Sequence, residues 1–160
     1  MPRPPTDSDN RVVALLERYG RNEITLEALL GAGPALKAAC VERAEHLIHA
    51  ERYDDAAQIL NGLCHLEPNN ATYWAWRGWL GTQQSRPDGA IECYRRAVEL
   101  EPSVNVYRAR LIEAQLAAGR LDDAAAELKT LLDRDPKCAD PATAWARQLA
   151  RSAAHRLGVR

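Results

Sequence analysis

Phenylalanine is absent from this chain and methionine occurs once, so four tryptophans and five tyrosines supply all of its aromatic rings. Three of the tryptophans fall within six positions of the stretch YWAWRGWLG, residues 73–81. Such clustering has two readings, rings that fill a core or rings that wait for a ligand. The chain also lacks a charge excess. With 21 basic against 22 acidic residues and a net charge of −1, its overall balance gives no reason to expect nucleic acid or an anionic membrane as partner. No run approaches the roughly 18 apolar residues of a membrane span. The start, MPRPPTDSDN, is polar and proline-rich with no apolar segment behind it, unlike a secretory signal. Cys40, Cys64, Cys93 and Cys138 form no C-x-x-C pair and lie scattered in apolar helical patterns. That suits reduced, packed thiols better than disulfides or a metal site. The cytoplasm is the expected compartment, without membrane insertion.

Signs of catalysis are lacking as well. The GAGP at 31–34 follows a helical pattern and ends in proline, so it is no phosphate loop. His46 and His49 stand three apart near Glu42 and Glu45, a spacing able to grip a metal, but no third or fourth ligand is defined. His65 follows Cys64, and adjacent helical positions diverge too far for a nucleophile–base pair. Arg95 and Arg96 have Glu92 and Glu99 within helical reach, which makes a charged face rather than a phosphate site. Neither an enzyme, a cofactor nor a metal is expected.

What the chain does contain is a repeat of 34. Arg52, Arg86 and Arg120 are spaced by 34, and so are Asp54, Asp88 and Asp122, Ala56, Ala90 and Ala124, and Pro68, Pro102 and Pro136. Each unit reads as two helices. Asn69 or Asn70 can cap the first helix of the middle unit, SRPDG makes the turn, and the second helix runs from about Asp88 to Leu100. Proline then stops it, having no N–H and clashing with the turn before. The alanine column lets paired helices approach closely. Flanking helices are expected over NRVVALLERYG, ending at Gly20, over ITLEALLGAGP, and over DPATAWARQLARSAAHRLGVR, whose Trp145, Leu149 and Ala153 share one stripe. The last would cap the core face of the final repeat.

This pattern resembles the tetratricopeptide repeat. The middle unit, from Ala71, carries the family's Trp74, Gly78, Ala90, Tyr94, Ala97 and Pro102, while Arg77 and Gly81 depart from it. The first unit keeps Ala44, Ala56 and Pro68, and the third keeps Leu111, Ala124 and Pro136. The resemblance implies an all-α solenoid. Its layout would be a disordered N-terminus over 1–8, N-terminal helices over 9–34, repeats at 37–70, 71–104 and 105–138, and a capping helix over 139–158.

The repeat frame divides the tryptophans. Residues on a helix advance by about 100 degrees each, so three rings at 74, 76 and 79 cannot share one place. Trp74 occupies the family's structural column and is expected between the paired helices. The family's groove positions place Val41, Glu45, Ile48 and His49 of the first unit on the concave face. They add Thr72, Trp76, Trp79 and Gln83 of the second, and Val106, Ala109, Arg110 and Glu113 of the third. Such an apolar and aromatic strip suits an extended peptide with apolar anchors. The clamp that repeat co-chaperones use for acidic heat-shock C-termini needs basic or amide side chains where this chain has Val41, Glu45, Trp76 and Val106. Only Arg110 matches.

Size and layout are similar to the tetratricopeptide chaperones of type III secretion systems, with LEALL and ERYDDAAQILNGLC matching their motifs in rhythm, and with Leu60 where phenylalanine is usual. That resemblance implies a cytoplasmic chaperone for a hydrophobic secreted translocator, and dimerisation through the N-terminal helices. The alternative is a general tetratricopeptide adaptor for assembly of a multiprotein complex.

Overall fold

A computed structural model describes residues 7–21, 34–156 and 158. The described residues form eight α-helices and no strand. In order these are α1 (Asp7–Gly20), α2 (Pro34–His49), α3 (Tyr53–Leu66), α4 (Ala71–Gln83), α5 (Pro87–Leu100), α6 (Asn105–Ala117), α7 (Leu121–Arg134) and α8 (Pro141–Arg156). The helix expected over ITLEALLGAG lies outside the described residues, as do residues 1–6 of the expected disordered tail; Asp7 and Ser8 are already helical. The chain divides into two compact units, Met1–Tyr73 and Trp74–Arg160.

The same backbone device recurs at three turns. Glu51, Ser85 and Gly119 take left-handed conformations, with φ of 56, 55 and 73 degrees. The next residue is an arginine each time, and its N–H reaches back to close the first helix. Arg52 donates to the Leu47 carbonyl at 2.9 Å, Arg86 to Gly81 at 2.8 Å and Arg120 to Gln115 at 2.8 Å. These are Schellman closures, in which a left-handed residue lets the chain turn and satisfies orphan carbonyls. The same arginine carbonyls then accept from Ala56, Ala90 and Ala124, each at 3.1 Å, and so begin the second helix of each pair. The arginine column therefore joins two helices through its backbone. Second helices end alike, with Glu67, Glu101 and Asp135 donating to Leu63, Ala97 and Leu131 just before the proline column.

In the first unit α1 packs on α2 and α3, and α2 on α3. Leu16 of α1 is fully buried, and Gly62 makes room for it, since a Cβ at Gly62 would stand 3.0 Å from Leu16 Cδ2. Ala44, Leu47, Ile59, Leu60 and Leu63 complete this core. Lys37 pairs with Glu67 and, by that hydrogen bond above all, holds its carboxyl below the usual carboxylate range.

In the second unit α6 packs on α5, α7 and α8. One cluster joins Ala90, Ile91, Tyr94 and Val98 of α5 to Leu111 and Ala114 of α6. A second joins Ala109 and Ile112 of α6, Ala124 and Leu131 of α7, and Ala146 of α8. The alanine column is buried throughout, as close helix approach requires. Asp140 caps α8, its Oδ1 accepting from the Ala142 N–H at 2.7 Å. Asp135 accepts from the N–H groups of Asp140 and Ala139, which lowers its carboxyl below the usual range.

Candidate functional site

Of the expected groove residues, Val41 and Ile48 of the first repeat are half-buried on α2, Glu45 and His49 are exposed beside them, and Thr72 of the second repeat is exposed at the start of α4. Asn70 caps α4 there, accepting from the Thr72 N–H at 3.1 Å. This face of α2 offers two apolar side chains flanked by a carboxylate and an imidazole. His46 Nε2 stands 4.0 Å from Glu42 Oε1, and among the described residues no three such side chains gather into a metal site. His65 Nδ1 lies 2.6 Å from the Asn61 carbonyl and its ring meets Tyr19 edge-on at 5.5 Å, whereas the neighbouring Cys64 is buried.

The second unit holds the tryptophans. Gly78 faces Tyr94 so closely that a Cβ would stand 3.0 Å from three ring atoms. Ala75, three positions earlier, and Trp79, four positions after Ala75, pack on the cluster around Tyr94. On a wheel of 100 degrees per residue, Trp79 sits about 40 degrees from Ala75, and Gln83 and Trp76 follow at about 80 and 100 degrees. Trp79 is therefore a boundary residue. One side of its ring rests on the core, and the residue stays half-buried, on the same side of α4 as Trp76 and Gln83. Trp76 is half-buried on that arc, and Gln83 is exposed. Trp74 is half-buried with the Arg77 guanidinium 5.5 Å from its ring centroid. Burial pushes the Tyr94 phenol above its ordinary range and raises the Cys93 thiol.

On α6, Val106 is 43% exposed, one of two large apolar side chains so open among the described residues. Arg110 lies over the ring of Trp145 at 4.7 Å and pairs with Glu113 at 3.0 Å. Ala109 requires a correction. It is fully buried in the cluster with Ile112, Leu131 and Ala146, because α8 closes on this part of α6, and no ligand can touch it. The converse omission is Trp145, expected on a capping stripe, which α8 places against Arg110. Its signal was its place 34 after Leu111, which puts it in the repeat's own frame.

Together, α4 and α6 present half-exposed indole rings, an exposed valine and an arginine–glutamate pair. Such a surface can take up apolar anchors and orient a backbone. It holds no nucleophile–base pair.

Two tetratricopeptide repeat profiles match the chain, over residues 41–105 and 82–147. No curated protein sequence matches it. Among solved structures it is similar to the Yersinia enterocolitica type III secretion translocator chaperone SycD, with a TM-score of 0.68, 16% identity, and cover of 82% of this chain and 93% of that one. It is similar to the first tetratricopeptide domain of Spaghetti (RPAP3) bound to an HSP90 peptide, at TM-score 0.65 and 18% identity, covering 76% and 93% of the two chains. The second such domain of human RPAP3, in complex with an HSP70 peptide, gives 0.64 and 19%, covering 74% and 98%. At these identities the likeness concerns the fold. With the repeat frame, the helix pairs and both profiles in agreement, the chain belongs to the tetratricopeptide repeat family, an all-α solenoid class.

Proposed function

We propose that this protein is a non-catalytic binding scaffold, a cytoplasmic chaperone that takes an extended apolar segment of a secreted protein of the translocator kind. The observation that carries the reading is the pair Trp76 and Trp79, half-buried beside one another on α4 while Trp79 is braced against the core. A braced indole loses little freedom on binding, so more of its contact energy reaches the complex. The solved relatives named for HSP90 and HSP70 peptides and for a translocator chaperone support a peptide-binding role on this scaffold. Val106 extends the apolar surface along α6, and the exposed charges of the outer helix faces would keep a complex soluble. Val41, Glu45, Ile48, His49 and Thr72 are proposed as further contacts, and dimerisation through the N-terminal helices belongs to the same proposal.

The second reading is an adaptor that assembles a multiprotein complex; Leu60, in place of the chaperones' usual phenylalanine, favours it. Purifying the tagged protein from its own cells decides between them. A chaperone brings down a secreted hydrophobic protein, and Trp76→Ala loses it. Recovery of envelope or regulatory subunits alone supports the adaptor, and a partner held equally by Trp76→Ala overturns the site.

A further inference from the structure

The arginines of α5, α6 and α7 are all engaged. Arg95 and Arg96 pair with Glu92 and Glu99 at 2.9 and 3.2 Å, Arg108 with Glu127, Arg110 with Glu113, and Arg134 donates to the Pro102 carbonyl. Just before α7, Arg120 meets Asp88 at 2.5 Å. α8 differs. Its sequence, PATAWARQLARSAAHR, contains three arginines and a histidine and no acid. Among the described residues none of Arg147, Arg151, His155 and Arg156 has a carboxylate partner. Arg151, Ser152, His155 and Arg156 border one shallow, solvent-open stretch of surface.

Helical geometry puts these four on one outward face. At 100 degrees per residue they fall within about 140 degrees of arc, and Arg147 adjoins them one turn earlier. The opposite arc carries the buried Thr143, Ala146 and Ala153, so burial on α6 and α7 fixes the basic face outward. Favourable interaction with the helix's own C-terminal dipole accounts for His155 and Arg156. It does not account for Arg147 and Arg151, which stand more than a turn from that end, where two like charges four apart repel one another.

The wider charge pattern narrows the ligand. Four of the 21 basic residues and none of the 22 acidic ones lie in 141–160, which leaves 17 against 22, a net charge of −5, over residues 1–140. A long polyanion would be repelled by that remainder. A short one, no longer than the roughly 8 Å Debye length at physiological salt, would feel only the local patch. From residue 151 to 156 the face spans about 8 Å of helix axis, room for two or three carboxylates and too little for the many phosphate contacts of a nucleic-acid interface.

We propose that the C-terminal half of α8 is a second binding site, one that docks a short acidic segment of a protein. Arg151 and Arg156 grip carboxylates through their planar guanidinium forks, and Ser152 adds a hydroxyl donor.

The test is fluorescence anisotropy with a fluorescein-labelled peptide bearing three consecutive glutamates, with its lysine counterpart, a 12-nucleotide single strand and phosphatidylserine vesicles as parallel probes. The acidic peptide should bind, weakening as salt rises. Arg151→Gln/Arg156→Gln should loosen it about tenfold or more, while Arg95→Gln/Arg96→Gln changes it less than about twofold. Circular dichroism should show all variants equally helical. Trp76→Ala should leave this binding intact, which keeps the result separate from the apolar surface on α4. Equal binding by the α8 variant, loss in Trp76→Ala, or preference for the strand or the vesicles would overturn the proposal.

Discussion

Trp76 and Trp79 differ by three residues and by the work their surroundings assign them. Trp79 touches the cluster of Ala90, Ile91 and Tyr94, so its removal opens space beside a packed ring as well as thinning the binding surface. Trp79→Ala should cost about 2 kcal/mol in chemical denaturation, and Trp76→Ala less than about half of that. Equal losses would mean that both rings serve the core. The helix that carries Trp76 and Gln83 was legible in the sequence, because helix period and repeat frame together mark it. The dual role of Trp79 was not. A wheel gives direction, and only the depth of the neighbouring helix tells how much of a large ring that direction buries. The same limit applies to Ala109, whose burial depends on how far α8 lies over α6.

The helix pairs were the most readable level. Four columns at a spacing of 34 mark the first turns, alanine contacts and proline stops that the structure contains. Less readable was why arginine recurs at the turn, since its backbone, not its side chain, joins the two helices. Within α4 and α5 two glycines make a contrast. Gly78→Ala gains helix propensity of about 1 kcal/mol but drives a methyl into Tyr94, which is 1% exposed and has nowhere to retreat. Gly89 has no atom within 4 Å of its added Cβ. Thermal melts should place Gly89→Ala above the parent and Gly78→Ala below it. Reversal of that order would show that the Gly78–Tyr94 contact is loose enough to admit a methyl.

At the scale of the whole molecule, four thiols sit at different depths. Cys40, Cys64 and Cys93 are buried and Cys138 is half-buried. Burial, with help from Glu17, pushes the Cys40 thiol up to about 12, and burial raises Cys93 too. Because the thiolate is the reactive form, Ellman's reagent should label one thiol quickly in the native protein at pH 8 and four in denaturant. Rapid labelling of two or more would mean that a core opens on the experiment's timescale. The left-handed turns have a consequence for the order of folding. Glu51 and Ser85 adopt a conformation that costs a side-chain-bearing residue about 1 kcal/mol or more, whereas Gly119 adopts it freely. Three hairpins of one design thus differ in the barrier to closing their first turn. The α6–α7 hairpin closes with the least backbone strain, so substitutions at its contacts should slow refolding more than equivalent ones in the other two hairpins, which φ-value measurements would check.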